Sequence, residues 1–218
     1  MNRVQRRLKA LGLSEVDYQF EFTKWWFASR NLKAFCEFVL PEFQDKPTLY
    51  LEIGVFEGMS LSWMLQNVLT HPDSKAVGID PWLMTTKLDN DQMNLVHGRA
   101  IHNCQYFDSK CTLIQGNSAE VLRRMLARQN GYEGICRGGV DVIMVDGNHN
   151  KGAVYDDACL SLKLLKSKGL LIFDDVDIRL VRRKSQHALG GFNQFLETHS
   201  SRVEFVWETD SIKAYRKL

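Results

Sequence analysis

Two short stretches hold the residues best suited to chemistry. Val145-Asp146-Gly147-Asn148-His149 and Phe173-Asp174-Asp175-Val176 each close an apolar run with carboxylates. If the two runs are neighbouring strands, Asp146, Asp174 and Asp175 converge, and clustered carboxylates repel one another unless a cation or protons neutralise them. Oxygen-only ligands favour Mg2+ or Ca2+ over zinc. His149 supplies a different kind of group. An imidazole, with an ordinary pKa of about 6.5, accepts a hydroxyl proton at neutral pH, and a cation on the same oxygen lowers that hydroxyl's pKa. A structural reading of the same residues stays open: Asp146 caps a helix, Asp174 and Asp175 end a strand, and His149 packs at a helix start.

A second set surrounds the turn Leu51-Glu52-Ile53-Gly54-Val55-Phe56-Glu57-Gly58. Its glycines permit a tight turn into a helix. A pyrophosphate binder wants G-x-G-x-x-G, whose second glycine admits the phosphates to the backbone. Here Phe56 fills that position and Glu52 and Glu57 would repel phosphate, so the expected ligand carries an adenosine without phosphate. Asp80, in Gly78-Ile79-Asp80-Pro81-Trp82, stands where an acid accepts hydrogen bonds from both ribose hydroxyls. Gly116-Asn117-Ser118-Ala119 could set Asn117 and backbone amides against an adenine edge, with Ser118 capping the next helix.

Short β-rich runs position these residues: Leu49 to Ile53, Ala76 to Ile79, Thr112 to Gln115, Val140 to Val145 and Gly169 to Phe173. Helical patterns lie between them, at about Met59 to Leu69, Gln92 to Phe107, Ala119 to Arg128 and Ala153 to Lys166. Such alternation predicts a parallel sheet with crossover helices. Val203 to Trp207 and Ile212 to Tyr215 are joined by four residues, too few for a parallel crossover, so an antiparallel hairpin is predicted. The expected fold class is α/β, a Rossmann-like, doubly wound, seven-stranded sheet whose ligands sit at the carboxyl ends of its strands. Pro41 and Pro47 bracket a polar boundary, which predicts an N-terminal helical cap over 1–47 and a catalytic domain over 48–218. The cap draws on Val16 to Leu40, where apolar residues recur largely at helical spacing.

The E-x-G-x-x-x-G turn, the G-I-D-P-W strand end and the G-N-S-A turn together resemble class I S-adenosylmethionine-dependent methyltransferases, over about Thr48 to Leu218. The resemblance implies that Gly54 and Gly58 shape a methionine pocket, Asp80 holds the ribose, and Asn117 and Ser118 flank the adenine, with Glu52 and Asp146 completing the cofactor set. The segment from Asp146 through Asp175 further resembles metal-dependent O-methyltransferases of the catechol and macrocin types. It also resembles a bacterial group with D-G-x-H, a long helix and a G-G-hydrophobic-D ending. This second resemblance implies Asp146, Asp174 and Asp175 as metal ligands. His149 stands where the catechol enzymes have a lysine base, and Asn148 where the antibiotic-sugar enzymes have an aspartate.

The composition excludes other classes. Lys plus Arg number 28 against 26 for Asp plus Glu, and a net charge of +2 gives no general reason to expect nucleic acid or membrane. Five scattered cysteines without C-x-x-C spacing read as reduced thiols. No stretch approaches the ~20 apolar residues of a membrane helix, and the basic N-terminus lacks a signal-peptide core. A cytoplasmic protein is expected. The expected reaction is methyl transfer to oxygen of a small hydroxylated substrate, with Asp146 and His149 catalytic. Alternatives are metal-independent transfer using His149 as base, on an anionic or RNA substrate, and a binding protein that keeps S-adenosylmethionine without transfer. Arg179, Arg182, Arg183 and Lys184 would meet an acidic acceptor, and His187 with Gly190-Gly191 would hinge that loop. Trp25, Trp26, Phe27, Trp82 and Met84 would wall a pocket, fill the core or face a second copy in a homodimer.

Overall fold

Seven strands appear in the computed structural model, which describes residues 20–83, 88–107, 109–129, 132, 134–176 and 187–218. They are β1 (Leu49–Ile53), β2 (Lys75–Asp80), β3 (Cys111–Gln115), β4 (Val140–Val145), β5 (Leu165–Phe173), β6 (Val203–Glu208) and β7 (Lys213–Lys217). The sheet order is β3-β2-β1-β4-β5-β7-β6. β4 runs parallel to both β1 and β5, while β7 pairs antiparallel with β5 and β6. The predicted Rossmann-like sheet with its antiparallel end is therefore present. β7 enters between β5 and β6. Almost every residue of β1 and β4, and the last five of β5, are buried, the continuous apolar character of strands covered on both faces.

By contact density the chain forms two units: residues 1–48, 55–78 and 82–113, and residues 49–54, 79–81 and 114–218. The first holds α1 (Trp26–Arg30), α2 (Leu32–Ala34), α3 (Leu40–Phe43), α4 (Met59–Trp63) and α5 (Asn90–Cys104). A π-helical turn links α2 to α3 and another extends α4. Phe27, Phe35 and Trp63 form its aromatic core, with ring centroids 5.1, 5.7 and 6.1 Å apart. α5 starts in a reciprocal cap in which Asp89 Oδ1 accepts from the Gln92 amide and Gln92 Oε1 from the Asp89 amide.

One sequence expectation changes here. Among the described residues the N-terminal helix begins only at Trp26, although the apolar spacing suggests an earlier start. Upstream, the amides of Glu21 and Thr23 donate to the side chains of Asn103 and Glu57, at 2.7 Å each, instead of to helix carbonyls.

The second unit holds α6 (Ser118–Ala127), α7 (Lys151–Leu164) and α8 (Ala188–His199). α8 is not expected from the sequence, where Gly190-Gly191 suggests a hinge. Instead His187 caps the helix and both glycine amides donate to its carbonyl. Phe192 and Phe195 from α8 pack on Phe173 of β5, with centroids 5.1 and 5.5 Å apart. Gly191 lets α8 approach α7, because a Cβ there would lie 2.3 Å from the Lys151 carbonyl oxygen. Among the described residues no helix is long and apolar enough to cross a membrane.

Two helical glycines thus give opposite predictions. A Cβ added at Gly98 in α5 would have nothing within 4 Å of it, so Gly98→Ala should stabilise the fold by about 0.5–1 kcal/mol. Gly191→Ala should destabilise it by about 1–3 kcal/mol through overpacking. Urea unfolding of the two variants checks both signs.

Candidate functional site

In the second unit, backbone hydrogen bonds carry the ladder past the strands into the loops that follow them. Gly116 N donates to Asp80 O at 3.0 Å, Gly54 N to Ile79 O at 2.8 Å, Asp146 N to Ile53 O at 2.8 Å, and Asp174 N to Val145 O at 3.1 Å. The residues singled out by the sequence therefore begin their loops in one row, at the carboxyl ends where open α/β sheets bind ligands. Gly54 has φ +91°, and a Cβ on it would lie 2.0 Å from the Asp146 carbonyl oxygen. Only glycine fits that crossing.

Asp146, His149 and Asp175 each offer a ligand atom within 4.8 Å of the others. His149 Nε2 lies 3.3 Å from Asp175 Oδ2. The loop is fixed from its far side, where Asn148 Oδ1 accepts from the Asn150 amide and Asn150 Oδ1 caps α7 through the Gly152 amide, each at 3.0 Å. Asp174, expected as a third ligand, is not brought into this group. It is buried, and its Oδ1 accepts from the Asp175 amide at 2.8 Å. Both residues follow the end of β5, and the backbone turns left-handed at Asp175, φ +54°, so Asp174 stays buried while Asp175 is half-buried in the cluster. The cluster is thus two carboxylates, Asp146 and Asp175, with the His149 imidazole beside them.

The other sequence candidates differ in their surroundings. Glu52 is fully buried and accepts from the Tyr50 hydroxyl at 2.8 Å. Burial first, then the Glu52 charge, push the Tyr50 pKa well up, so the phenol remains a donor. Asp80 ends β2 and is half-buried. Asn117, not Ser118, caps α6, its Oδ1 accepting from the Glu120 amide at 3.2 Å. Ser118 is the first helical residue. Gly58, in the first unit, precedes α4 at φ +78°. Trp82 is buried, stacked on His97 with centroids 4.1 Å apart, and donates from Nε1 to the Phe56 carbonyl at 2.9 Å. Trp26 is 56% exposed, whereas Phe27 is core. Met84, Arg179, Arg182, Arg183 and Lys184 lie outside the described residues.

A family model described as a methyltransferase domain matches residues 51–176, more than half of the chain. The chain belongs to this methyltransferase family. It is similar to the uncharacterized protein R132 of Acanthamoeba polyphaga mimivirus, 27% identical over 135 residues, which are 61% of this chain and 53% of that protein. The match thus spans about half the length of that relative. Among solved structures, an O-methyltransferase from Bacillus cereus in complex with S-adenosylhomocysteine superposes with a TM-score of 0.63 at 15% identity, covering 99% of this chain and 90% of that one. MycE of the mycinamycin biosynthetic pathway, in complex with Mg, S-adenosylhomocysteine and mycinamycin VI, gives a TM-score of 0.55 at 17% identity, over 100% of this chain and 55% of that one. These likenesses show that the fold is the one used by class I methyltransferases.

Among the described residues, one further buried acid is not singled out by the motifs. Asp157 on α7 is 1% exposed, and burial raises its pKa to about 6, against the pull of the Ser118 hydroxyl and of Arg123. A methyl on Gly147 would lie 3.6 Å from its Oδ2, so Asp157 underlies both the Asp146–His149 loop and the start of α6. The sequence does hold a signal for it: position 157 falls on the Val154, Ala158 and Leu162 face of α7, where an acid is out of place.

A raised carboxyl pKa means the folded state holds more protons than the unfolded one between about pH 4 and 6. Stability from this group therefore falls as pH rises through that window. Asp157→Asn should melt higher than the parent above pH 7, by up to about 3 kcal/mol of stability, and converge with it below pH 4. Melting temperatures across pH 4 to 8 check this.

Proposed function

We propose that this methyltransferase transfers the methyl of S-adenosylmethionine to an oxygen of a small hydroxylated molecule, with a divalent cation held by Asp146 and Asp175. The observation that supports this most is the convergence of Asp146, His149 and Asp175 at adjoining ends of β4 and β5, one β-strand from the Gly54 turn. The cation fits the donor set, since carboxylate oxygens this close repel one another without added positive charge. When bound there it supplies Lewis acidity that lowers the pKa of a hydroxyl.

For the methyl donor, the row of strand ends offers Asp80 as an acceptor for ribose hydroxyls and the Gly54 turn as a passage free of side chain. Asn117 has its Oδ1 committed to the α6 cap, so its NH2 is the part that reaches a purine nitrogen. Glu52, enclosed with Tyr50, acts beneath the turn by holding the end of β1. His149 takes the acceptor's proton. The acceptor oxygen forms its bond to the methyl carbon as the carbon–sulfur bond breaks, leaving S-adenosylhomocysteine. The chain's main contribution is alignment of oxygen, carbon and sulfur, worth about 7–11 kcal/mol in intramolecular reactions.

The His149–Asp175 contact supports a second reading, in which no cation is needed. A carboxylate accepting from Nε2–H leaves the imidazole lone pair on Nδ1, which makes that nitrogen the base.

Calorimetric titration of S-adenosylhomocysteine, in EDTA and then with Mg2+ and a panel of catechols and sugars, tests the proposal. The expected result is cofactor binding in both conditions and acceptor binding only with metal. Asp175→Asn should leave cofactor affinity within about threefold while lowering turnover at least 100-fold, as loss of several kcal/mol of charge stabilisation implies. Turnover that survives EDTA and disappears in His149→Ala would select the second reading. No cofactor binding at all would sink both.

A further inference from the structure

Glu57 is 2% exposed yet keeps a full set of donors. Its Oε2 accepts from the Thr23 amide at 2.7 Å and more distantly from the Lys24 amide at 3.4 Å. Its Oε1 accepts from the Thr23 hydroxyl at 2.6 Å and from Arg99 Nη1 at 3.1 Å. Charge-assisted bonds of this kind are the strong ones, and a carboxylate this enclosed is tolerable only with such partners. The backbone of the same residue is held as well. Asn103 Nδ2 donates to the Glu57 carbonyl at 2.8 Å and to the Glu21 carbonyl at 2.9 Å, while Asn103 Oδ1 accepts from the Glu21 amide.

The neighbouring residue is held in the same way. Phe56 sits at φ +51°, a region an aromatic residue occupies only when its surroundings impose it. Trp26 packs on its ring, with centroids 4.9 Å apart, and Trp82 Nε1 binds its carbonyl. Thr23, Lys24 and Trp26, about thirty positions upstream, thus hold the two residues that separate Val55 from Gly58. All of these contacts lie within the first unit.

We infer that Glu57 is a positioning residue that couples the segment Phe20–Trp26 to the cofactor turn, so that this segment orders the turn for S-adenosylmethionine. The inference rests on the methyl-donor part of the proposed function. It makes the segment part of the cofactor machinery, not a separate cap, and it requires reciprocity: a ligand that needs the ordered turn must in return order the segment.

Hydrogen exchange of the full chain, with and without saturating S-adenosylhomocysteine, reads that coupling at the Thr23 and Lys24 amides. The expected result is exchange slowed at least fivefold in the 20–27 peptide when the ligand is bound. Thr23→Val, which removes one donor at nearly constant volume, should weaken S-adenosylhomocysteine about 5- to 20-fold, and Thr23→Ser should restore parental affinity. A bound ligand with unchanged exchange at 20–27 would overturn the coupling, and so would parental affinity in a folded Thr23→Val. The exchange comparison needs no variant. Absence of any binding to the parent in calorimetry is a separate outcome, overturning the methyl-donor reading and the inference with it.

Discussion

The backbone of Gly54 lies so close to the carbonyl of Asp146 that a single methyl would collide with it at 2.0 Å. This crossing sets how β1 and β4 end. Because Asp146 N donates to Ile53 O, and Gly54 N to Ile79 O, the glycine turn and the acidic loop diverge from one shared stretch of ladder. Parallel pairing then brings in β5, whose last bond to β4, from Asp174 N to Val145 O, delivers Asp175 to the same edge. The acids therefore meet by backbone geometry before any side chain contributes. A side chain at Gly54 would separate the turn from the cluster.

Much of this was legible in the sequence because it follows from periodicity and from chain punctuation. β1 and β4 have the bounds their apolar runs suggest, and the four-residue link before β7 leaves only an antiparallel hairpin. Legibility ends where a side chain takes over a backbone's bonding. Residues 20–25 have the apolar spacing of a helix but spend amides on Asn103 and Glu57, partners 82 and 34 positions away, which no local pattern announces. The shift of the α6 cap from Ser118 to Asn117 is a contest between two good capping residues, decided by one position of helix phase.

α8 and Asp174 escape the sequence for a different reason. A Gly-Gly pair normally argues against a helix, but here Gly191 is the concession that lets α8 sit against Lys151 of α7, and Phe192 and Phe195 recover the packing. Adjacent acids at Asp174 and Asp175 suggest two ligands. They lie past the end of β5, where the backbone turns left-handed at Asp175, and the buried Asp174 instead holds the amide of its neighbour.

The acids of this chain separate by how their charge is met. Glu57 is enclosed by two amides, a hydroxyl and a guanidinium, and Glu52 is met by a phenol whose own ionisation is suppressed by burial. Asp157 is met less fully, so its proton affinity rises instead. Each of these three is a structural charge, settled inside the protein. Asp146 and Asp175 are half-buried at the loop edge, and the partner in their cluster is the His149 imidazole. A charge pair completed by a group that can gain or lose a proton is suited to passing one on. That difference, more than the number of acids, separates the catalytic role proposed at the ends of β4 and β5 from the positioning role proposed for Glu57.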